Sequence, residues 1–253
     1  MTILEWAATS EQSSWGVREI GRGIGLAPSS VYRILAMLGE VGVVQREDET
    51  GRYSLTLNFF QLASRIAAKV PVRETAAKYL RALADSTCES VYLARYGPEQ
   101  QAFMFVDHIP ATHPLRYEMP LYEWMDLRVG AGGLGILAFL RPEERRAVLD
   151  LPGPTKLTDF TVTDRDLLTA ELDRFREQGY AVSVGRRVSG VAGIAAPIVN
   201  SGEEVVGAMV LAMPEPRFAD FDLSALTESV VVTAQAVSRA LGAEQPGTIR
   251  LVR

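Results

Sequence analysis

The sequence predicts an α+β protein in two parts: a small helical head ending in a hairpin, and a larger domain in which a mixed sheet is flanked by helices. Three observations carry this. Residues Val17 to Tyr53 read helix, tight turn, helix, hairpin. At 253 residues the chain is far longer than such a head requires, so a second domain of ordinary size follows. Beyond the head, strand-like runs come in neighbouring pairs and do not alternate one by one with helices, which separates α+β from doubly wound folds.

In the head, Ile3, Leu4, Trp6 and Ala7 suit a short first helix packed under the next two. Val17, Ile20 and Ile24 recur at helical spacing, and Gly25-Leu26 breaks the pattern. Pro28 and Ser29 then start a second helix, where proline is tolerated in the first turn. Val31, Ile34, Leu35 and Leu38 form its apolar face, and Gly39 or Gly42 ends it. Val43-Val44 and Arg52 to Leu55 read as two short strands around a polar turn from Glu47 to Gly51. This order is a winged helix-turn-helix, whose second helix enters the DNA major groove with its N-terminal residues against the bases.

The side chains left outside that apolar face suit the task. Ser29, Ser30, Tyr32 and Arg33 point away from it, with Met37 at the margin. Hydroxyls bond phosphates and base edges, and an arginine forks onto guanine. No acid lies between Gly21 and Gly39. Arg18 and Arg22 precede the second helix, and Arg46 and Arg52 flank the wing, where they would hold the adjacent backbone. The expected DNA contacts are therefore Arg18, Arg22, Pro28, Ser29, Ser30, Tyr32, Arg33, Arg46 and Arg52. Residues 1–53 hold five arginines and no lysine against seven acids, below the basic excess usual for such heads. Affinity must come from local placement of a few arginines and from pairing two heads. A packing-only helical hairpin and a non-DNA-binding adaptor remain as rival readings.

After the wing, Phe59, Leu62, Ala63 and Ile66 mark an amphipathic linker helix running to about Lys69, and Pro71 ends it. Val72, Ala76, Leu80 and Leu83 mark another. Ser90 to Tyr96 and Ala102 to Ile109 read as strands, with Leu115 to Glu118 as a short third. A glycine-rich turn, Gly130 to Gly135, precedes a helix through Leu140, and Arg141-Pro142 opens a short one. Thr163 or Asp164 caps a longer helix with stripe Leu168, Leu172 and Phe175, and Gly179 stops it. Tyr180 to Val184, Ile194 to Val199 and Val205 to Ala212 are strands, the last two joined by Asn200-Ser201-Gly202. Leu223 to Leu241 closes the domain, and a loose tail runs from Glu244.

The composition is that of a water-soluble globular chain, and a net charge of −5 argues against a general basic coat for nucleic acid. The single cysteine, Cys88, excludes a disulfide framework and reads as a small buried residue. His108 and His113 lack the clustering of a metal site. No signal peptide or long apolar run is present, so a cytoplasmic location is expected, with no membrane partner and no cofactor.

Gly130, Gly132 and Gly135 fit a dinucleotide-binding pattern, with Asp150 near the place of a ribose-binding acid. That alternative, a nucleotide-dependent enzyme, needs a buried apolar strand just before the turn. Glu123 to Val129 is too polar for that role.

The chain resembles the IclR family of bacterial transcription regulators over nearly its whole length. The stretches that carry the resemblance are Gly25 to Leu35, Glu49 to Leu55, His113 to Arg116, Leu157 to Ser183, and Gly190 to Pro197. It implies a winged-helix DNA-binding head over 1–56, a linker helix over 57–70, and a GAF/PAS-like effector-binding and oligomerisation domain over 71–243, with 244–253 as tail. It also implies homodimers, often paired into tetramers, on pseudo-palindromic double-stranded operators, and a small-molecule effector.

Several positions depart from the family pattern. Arg128 stands where a histidine is usual, Leu134 replaces a lysine, and Tyr122 a glycine. An acidic pair becomes Ser183-Val-Gly-Arg186-Arg187, and Gly193 takes a position often held by cysteine. The expected effector wall is Arg128, Gly130, Ala131, Gly132, Gly133, Arg186, Arg187, Gly193 and Ile194. Three arginines there suggest a clamp for a carboxylate or phosphate, since guanidinium forks fit both. The alternatives are that these arginines pair with nearby acids, or that the effector site is degenerate.

Overall fold

The computed structural model describes residues 2–10, 12–67 and 71–244. The chain divides into two compact units, Met1–Val70 and Pro71–Arg253. The end of the expected linker helix at 68–70 and nearly all of the expected tail lie outside the described residues.

In the first unit, α1 (Ile3–Thr9) is started by a capping box in which Thr2 and Glu5 satisfy each other's backbone N–H groups. These bonds hold the Glu5 carboxyl below its usual range. Next come α2 (Val17–Ile24) and α3 (Pro28–Glu40). Gly25, at φ +73°, ends α2 in the left-handed conformation that makes the tight turn. A side chain at Gly21 would meet the Leu26 carbonyl oxygen at 2.7 Å, so glycine is what lets the turn fold back on α2. The hairpin pairs β1 (Val44–Arg46) with β2 (Tyr53–Leu55) in the register Val44↔Leu55, Arg46↔Tyr53. Ile20, Val31, Leu35, Val44 and Tyr53 meet Ile3, Ala7 and Trp15 in one core. Helix α4 (Leu57–Ala67) follows, with Leu57, Phe60 and Leu62 exposed.

The second unit opens with α5 (Pro71–Thr87), on which Val72, Ala76, Leu80 and Leu83 are buried as their spacing requires. Then come β3 (Ser90–Gly97), β4 (Ala102–Ile109), β5 (Met125–Asp126), α6 (Gly130–Leu137), α7 (Pro142–Leu149), α8 (Arg165–Gln178), β6 (Ala181–Val184), β7 (Val191–Val199), β8 (Val205–Pro214), α9 (Glu215–Asp220) and α10 (Leu223–Ala240). The six strands form one sheet in the order β5-β4-β3-β8-β7-β6. The α+β class is as expected, but every ladder between these strands is antiparallel, where mixed pairing was expected. Helices cover both faces. Tyr92, Ala94, Phe103, Phe105, Ala195 and Val210 face α6 and α8, while the alternate residues Leu93, Ile194 and Leu211 are buried on the side of α5 and α10.

Four local expectations are corrected. Residues 115–118 form no strand; the Tyr117 carbonyl accepts instead from the Tyr92 hydroxyl at 2.9 Å, and β5 takes the sheet edge. Gly130 to Gly135 is not a turn before a helix but α6 itself. Cys88 is exposed, because it sits at φ +59° where the chain turns out of α5. The short α9 had no periodic signal and was not foreseen.

Candidate DNA-binding helix and ligand cavity

The N-terminal part of α3 presents what DNA recognition asks for. Pro28, Ser29, Tyr32 and Arg33 are exposed, and Ser30 is half-buried. The apolar residues Val31 and Leu35 hold the opposite face in the core, which fixes the helix's rotation. Proline at the first helical position and the absence of any acid in the first turn leave the helix's positive end unopposed. Arg18, Arg22 and Arg46 are also exposed, and among the described residues no acid pairs with them or with Arg33.

Arg52 stands apart from the other predicted contacts. Its guanidinium donates to the Gln12 side chain at 2.8 Å, the Ser14 carbonyl at 2.6 Å and Glu19 Oε2 at 3.0 Å. Through Nη2 it fastens the wing to the start of α2, a positioning part that adds to its expected place among the DNA contacts. The reason is Glu19, which also accepts from the Gly16 N–H at 3.3 Å and so marks the joint.

In the second unit the sheet and α6 enclose a cavity of about 50 Å³. Tyr92, Phe103, Phe105, Met119, Gly193 and Arg187 contribute to its walls, with Gly130, Ala131 and Gly132 from α6. Small residues make the approach possible. A side chain at Gly193 would lie 3.0 Å from the Ala131 Cβ, and one at Gly132 would lie 3.1 Å from Phe103.

The three arginines expected to converge do not. Arg128 is buried and turned away: it grips both oxygens of Asp126 (Nε to Oδ1 2.9 Å, Nη2 to Oδ2 2.7 Å) and the carbonyls of Leu151 and Pro152. Burial pushes the Asp126 carboxyl up, but the Arg128 hydrogen bonds outweigh it and hold it below the usual carboxylate range. Arg186 pairs with Glu171, Nη2 to Oε1 2.6 Å, and faces a separate groove with Val162, Leu167 and Arg174. Arg187 alone borders the cavity, its Nη2 donating to the carbonyls of Asp126 at 3.2 Å and Val129 at 3.0 Å. Gly133 is also off the cavity, pressed on Leu127, and Ile194 is on the opposite face of β7. The aromatic wall formed by Tyr92, Phe103 and Phe105 was not foreseen. Its signal was present in the alternation of β3 and β4, which puts these rings on one face.

Since Arg186 is engaged elsewhere, replacing it with alanine should leave ligand affinity unchanged. It should cost roughly 2–3 kcal/mol of stability, just under the usual range for a broken buried pair, because Glu171 keeps Arg174 at 3.3 Å. Thermal unfolding with a ligand titration on the same variant checks both. A weakened ligand would return Arg186 to the site.

The dinucleotide alternative loses its geometry as well. Gly130, Gly132 and Gly135 lie inside α6, only the two-residue β5 precedes it, and Asp150 is taken by Arg165 at the surface. Among the described residues no group of three or more His, Cys, Asp or Glu could hold a metal ion, and no helix is long and apolar enough to cross a membrane.

A winged helix-turn-helix followed by a ligand-binding α+β domain defines a DNA-binding transcription regulator. Residues 1–48 match the IclR helix-turn-helix domain, and residues 64–239 match the family described as bacterial transcriptional regulator IclR C-terminal. The chain belongs to the IclR family. It is 32% identical over 219 residues to the HTH-type transcriptional regulator KipR of Bacillus subtilis, covering 86% of each chain. A crystal structure of a putative IclR transcriptional regulator from Silicibacter is 25% identical with a TM-score of 0.77, covering 97% of this chain and 98% of that one. An IclR homologue from Microbacterium hydrocarbonoxydans, complexed with 4-hydroxybenzoate, has a TM-score of 0.80 at 22% identity, covering 95% of this chain and 99% of that one.

Proposed function

We propose that the protein acts in the cytoplasm as a homodimer, or a pair of dimers, on a pseudo-palindromic operator, and that a small organic anion bound beside α6 changes its operator occupancy. The observation that carries the reading is the exposed, acid-free start of α3, with Ser29, Tyr32 and Arg33 outward and no acid pairing with Arg33 among the described residues. The aromatic cavity with Arg187 in its wall supports the ligand half, as does the 4-hydroxybenzoate complex of a relative with this fold.

The mechanism is linkage. Two heads must meet half-sites about 34–36 Å apart, or a multiple of that. A ligand that favours one placement of the heads alters affinity without touching α3. A coupling of about 1–3 kcal/mol changes affinity roughly 5- to 150-fold. The same linkage serves a repressor and an activator.

The test selects operator fragments from a random duplex pool with the full-length protein. Ligands are sought by thermal shift among aromatic and aliphatic carboxylates and phosphates. A ligand at 100 times its dissociation constant adds about 2.7 kcal/mol of stability. A stabilising anion that also shifts occupancy of the selected operator is the expected result. Failure to enrich any sequence over non-specific duplex would sink the reading.

A further inference from the structure

We propose that Arg187 is both the partition and the counter-ion of the ligand site, and that the site takes a singly charged organic anion with a compact aromatic body. This rests on reading the second unit as ligand-binding and names the ligand's charge.

Two spaces meet at this residue. The inner chamber of about 50 Å³ is walled by Tyr92, Phe103 and Phe105. An open groove of about 440 Å³ lies alongside, bordered by Trp124, Asp126, Val129 and Thr155. Met119, Arg187 and Val188 belong to both walls. The inner chamber, at about 50 Å³, has room for a few water molecules and is about a third of the roughly 150 Å³ cavity that accepts benzene. Moving the Met119 and Arg187 side chains aside would open the chamber to the groove and give a compact ring the room it needs. Arg187 lies across the start of α6 because Gly130 has no side chain; a Cβ there would sit 3.2 Å from Arg187 Nε.

The charge follows from counting. Asp126 faces two guanidinium groups but gives its carboxylate to one of them. Its Oδ1 accepts from the Arg128 backbone N–H at 2.8 Å and from Nε at 2.9 Å, and its Oδ2 accepts from Nη2 at 2.7 Å. Arg187 donates only to the neutral carbonyls of Asp126 and Val129, and its buried Nε has no partner among the described residues. The cluster of Asp126, Arg128 and Arg187 therefore carries one positive charge in excess. Glu123, on the rim of the groove, is exposed, so water screens it. Burial pushes the Arg187 guanidinium below its usual range, the direction expected of a cation short of a counter-charge. A buried charge without a partner is costly. A monoanion closes the balance, a neutral molecule leaves the excess, and a dianion reverses it. The guanidinium is already near the Phe103 ring, at 5.7 Å from its centroid, so a flat ring fits between the two kinds of wall.

The test uses the full-length protein and two shape-matched probe pairs followed by calorimetric titration. Benzoate is set against benzamide, and terephthalate monoamide against terephthalate. In the wild-type protein each monoanion should bind at least about tenfold more tightly than its partner, a difference of about 1.4 kcal/mol. Arg187→Met keeps the apolar stem and removes the charge, and its benzoate-to-benzamide ratio should fall to near one. Arg187→Lys keeps the charge without the fork and should retain part of the preference. It decides the matter if the methionine variant does not fold.

An unchanged ratio in Arg187→Met, equal binding of the monoanion and the dianion by the wild type, or no binding of any probe by any of the three proteins overturns the proposal. Operator binding by the wild type is measured alongside. Operator binding without charge preference removes the Arg187 assignment alone. Charge preference without operator binding removes the regulator reading and leaves Arg187 standing.

Discussion

Arg33→Ala is expected to abolish preference for the operator while leaving the fold and the proposed pairing of subunits intact. Arg33 is exposed on the face of α3 opposite Val31 and Leu35, so its removal opens no cavity. A forked arginine–guanine contact is worth about 1–3 kcal/mol of discrimination per site, and two heads on a palindrome double that. The loss, about 2–6 kcal/mol, is then roughly 30-fold to 2 × 10⁴-fold in specific affinity. Non-specific binding should fall far less, because it rests on phosphate contacts, and the exposed Arg18, Arg22 and Arg46 proposed for them are untouched. Competition between selected operator and random duplex reads the ratio directly. An unaltered ratio would remove α3 from base recognition.

The second large effect is expected of Gly133→Ala. In an ordinary exposed helix this change stabilises by up to about 1 kcal/mol, since glycine is a poor helix former. Here the sign reverses. The new Cβ would stand 2.5 Å from the Leu127 carbonyl oxygen, 2.7 Å from its carbon and 2.8 Å from its Cα. All three are backbone atoms, so no side chain can rotate away and α6 must lift from the segment before it. Overpacking of this kind costs about 1–3 kcal/mol, occasionally more, and it also displaces the helix that borders the cavity. We expect both a lower melting temperature and weaker ligand binding. A variant as stable as the wild type would show that α6 relaxes freely.

How much of this was legible in the sequence depended on range. The head was readable because its signals are short. Val31 and Leu35 repeat at helical spacing, Pro28 marks a helix start, Gly25 supplies the left-handed turn, and the Asp164 cap and Gly179 stop of α8 work the same way. Helix α6 was misread as a turn because glycine's local preference argues against a helix, while the reason for its glycines lies in contacts with Leu127, Phe103 and Ala195. The arginines failed for a related cause. Sequence places Arg186 beside Arg187, but neighbours on a chain turning out of β6 point apart. Arg186 finds Glu171 across α8, and Arg187 crosses to Val129. Nothing local announced Glu19 as the partner of Arg52. Spacing reports which residues share a face; it does not report which of several charges will pair.

The glycines of α6 also bear on the order in which the protein comes into being on the ribosome. The segment Gly130–Leu137 reads GAGGLGIL, too poor in helix formers to hold a helix alone. Its packing partner β7 ends at Val199. At about 5–20 residues per second, translation from residue 137 to residue 199 takes roughly 3–12 s, and during that time the nascent segment has only the earlier residues Phe103, Phe105 and Leu127 to pack on, without β7. The winged head is by then complete, since all its core residues lie before residue 56. The core of the DNA-reading part is thus complete in the nascent chain well before that of the ligand-reading part. Pulsed amide labelling of stalled nascent chains should find α6 unprotected when the chain stops at Gln178 and protected once β8 has emerged; early protection would mean that α6 needs no sheet.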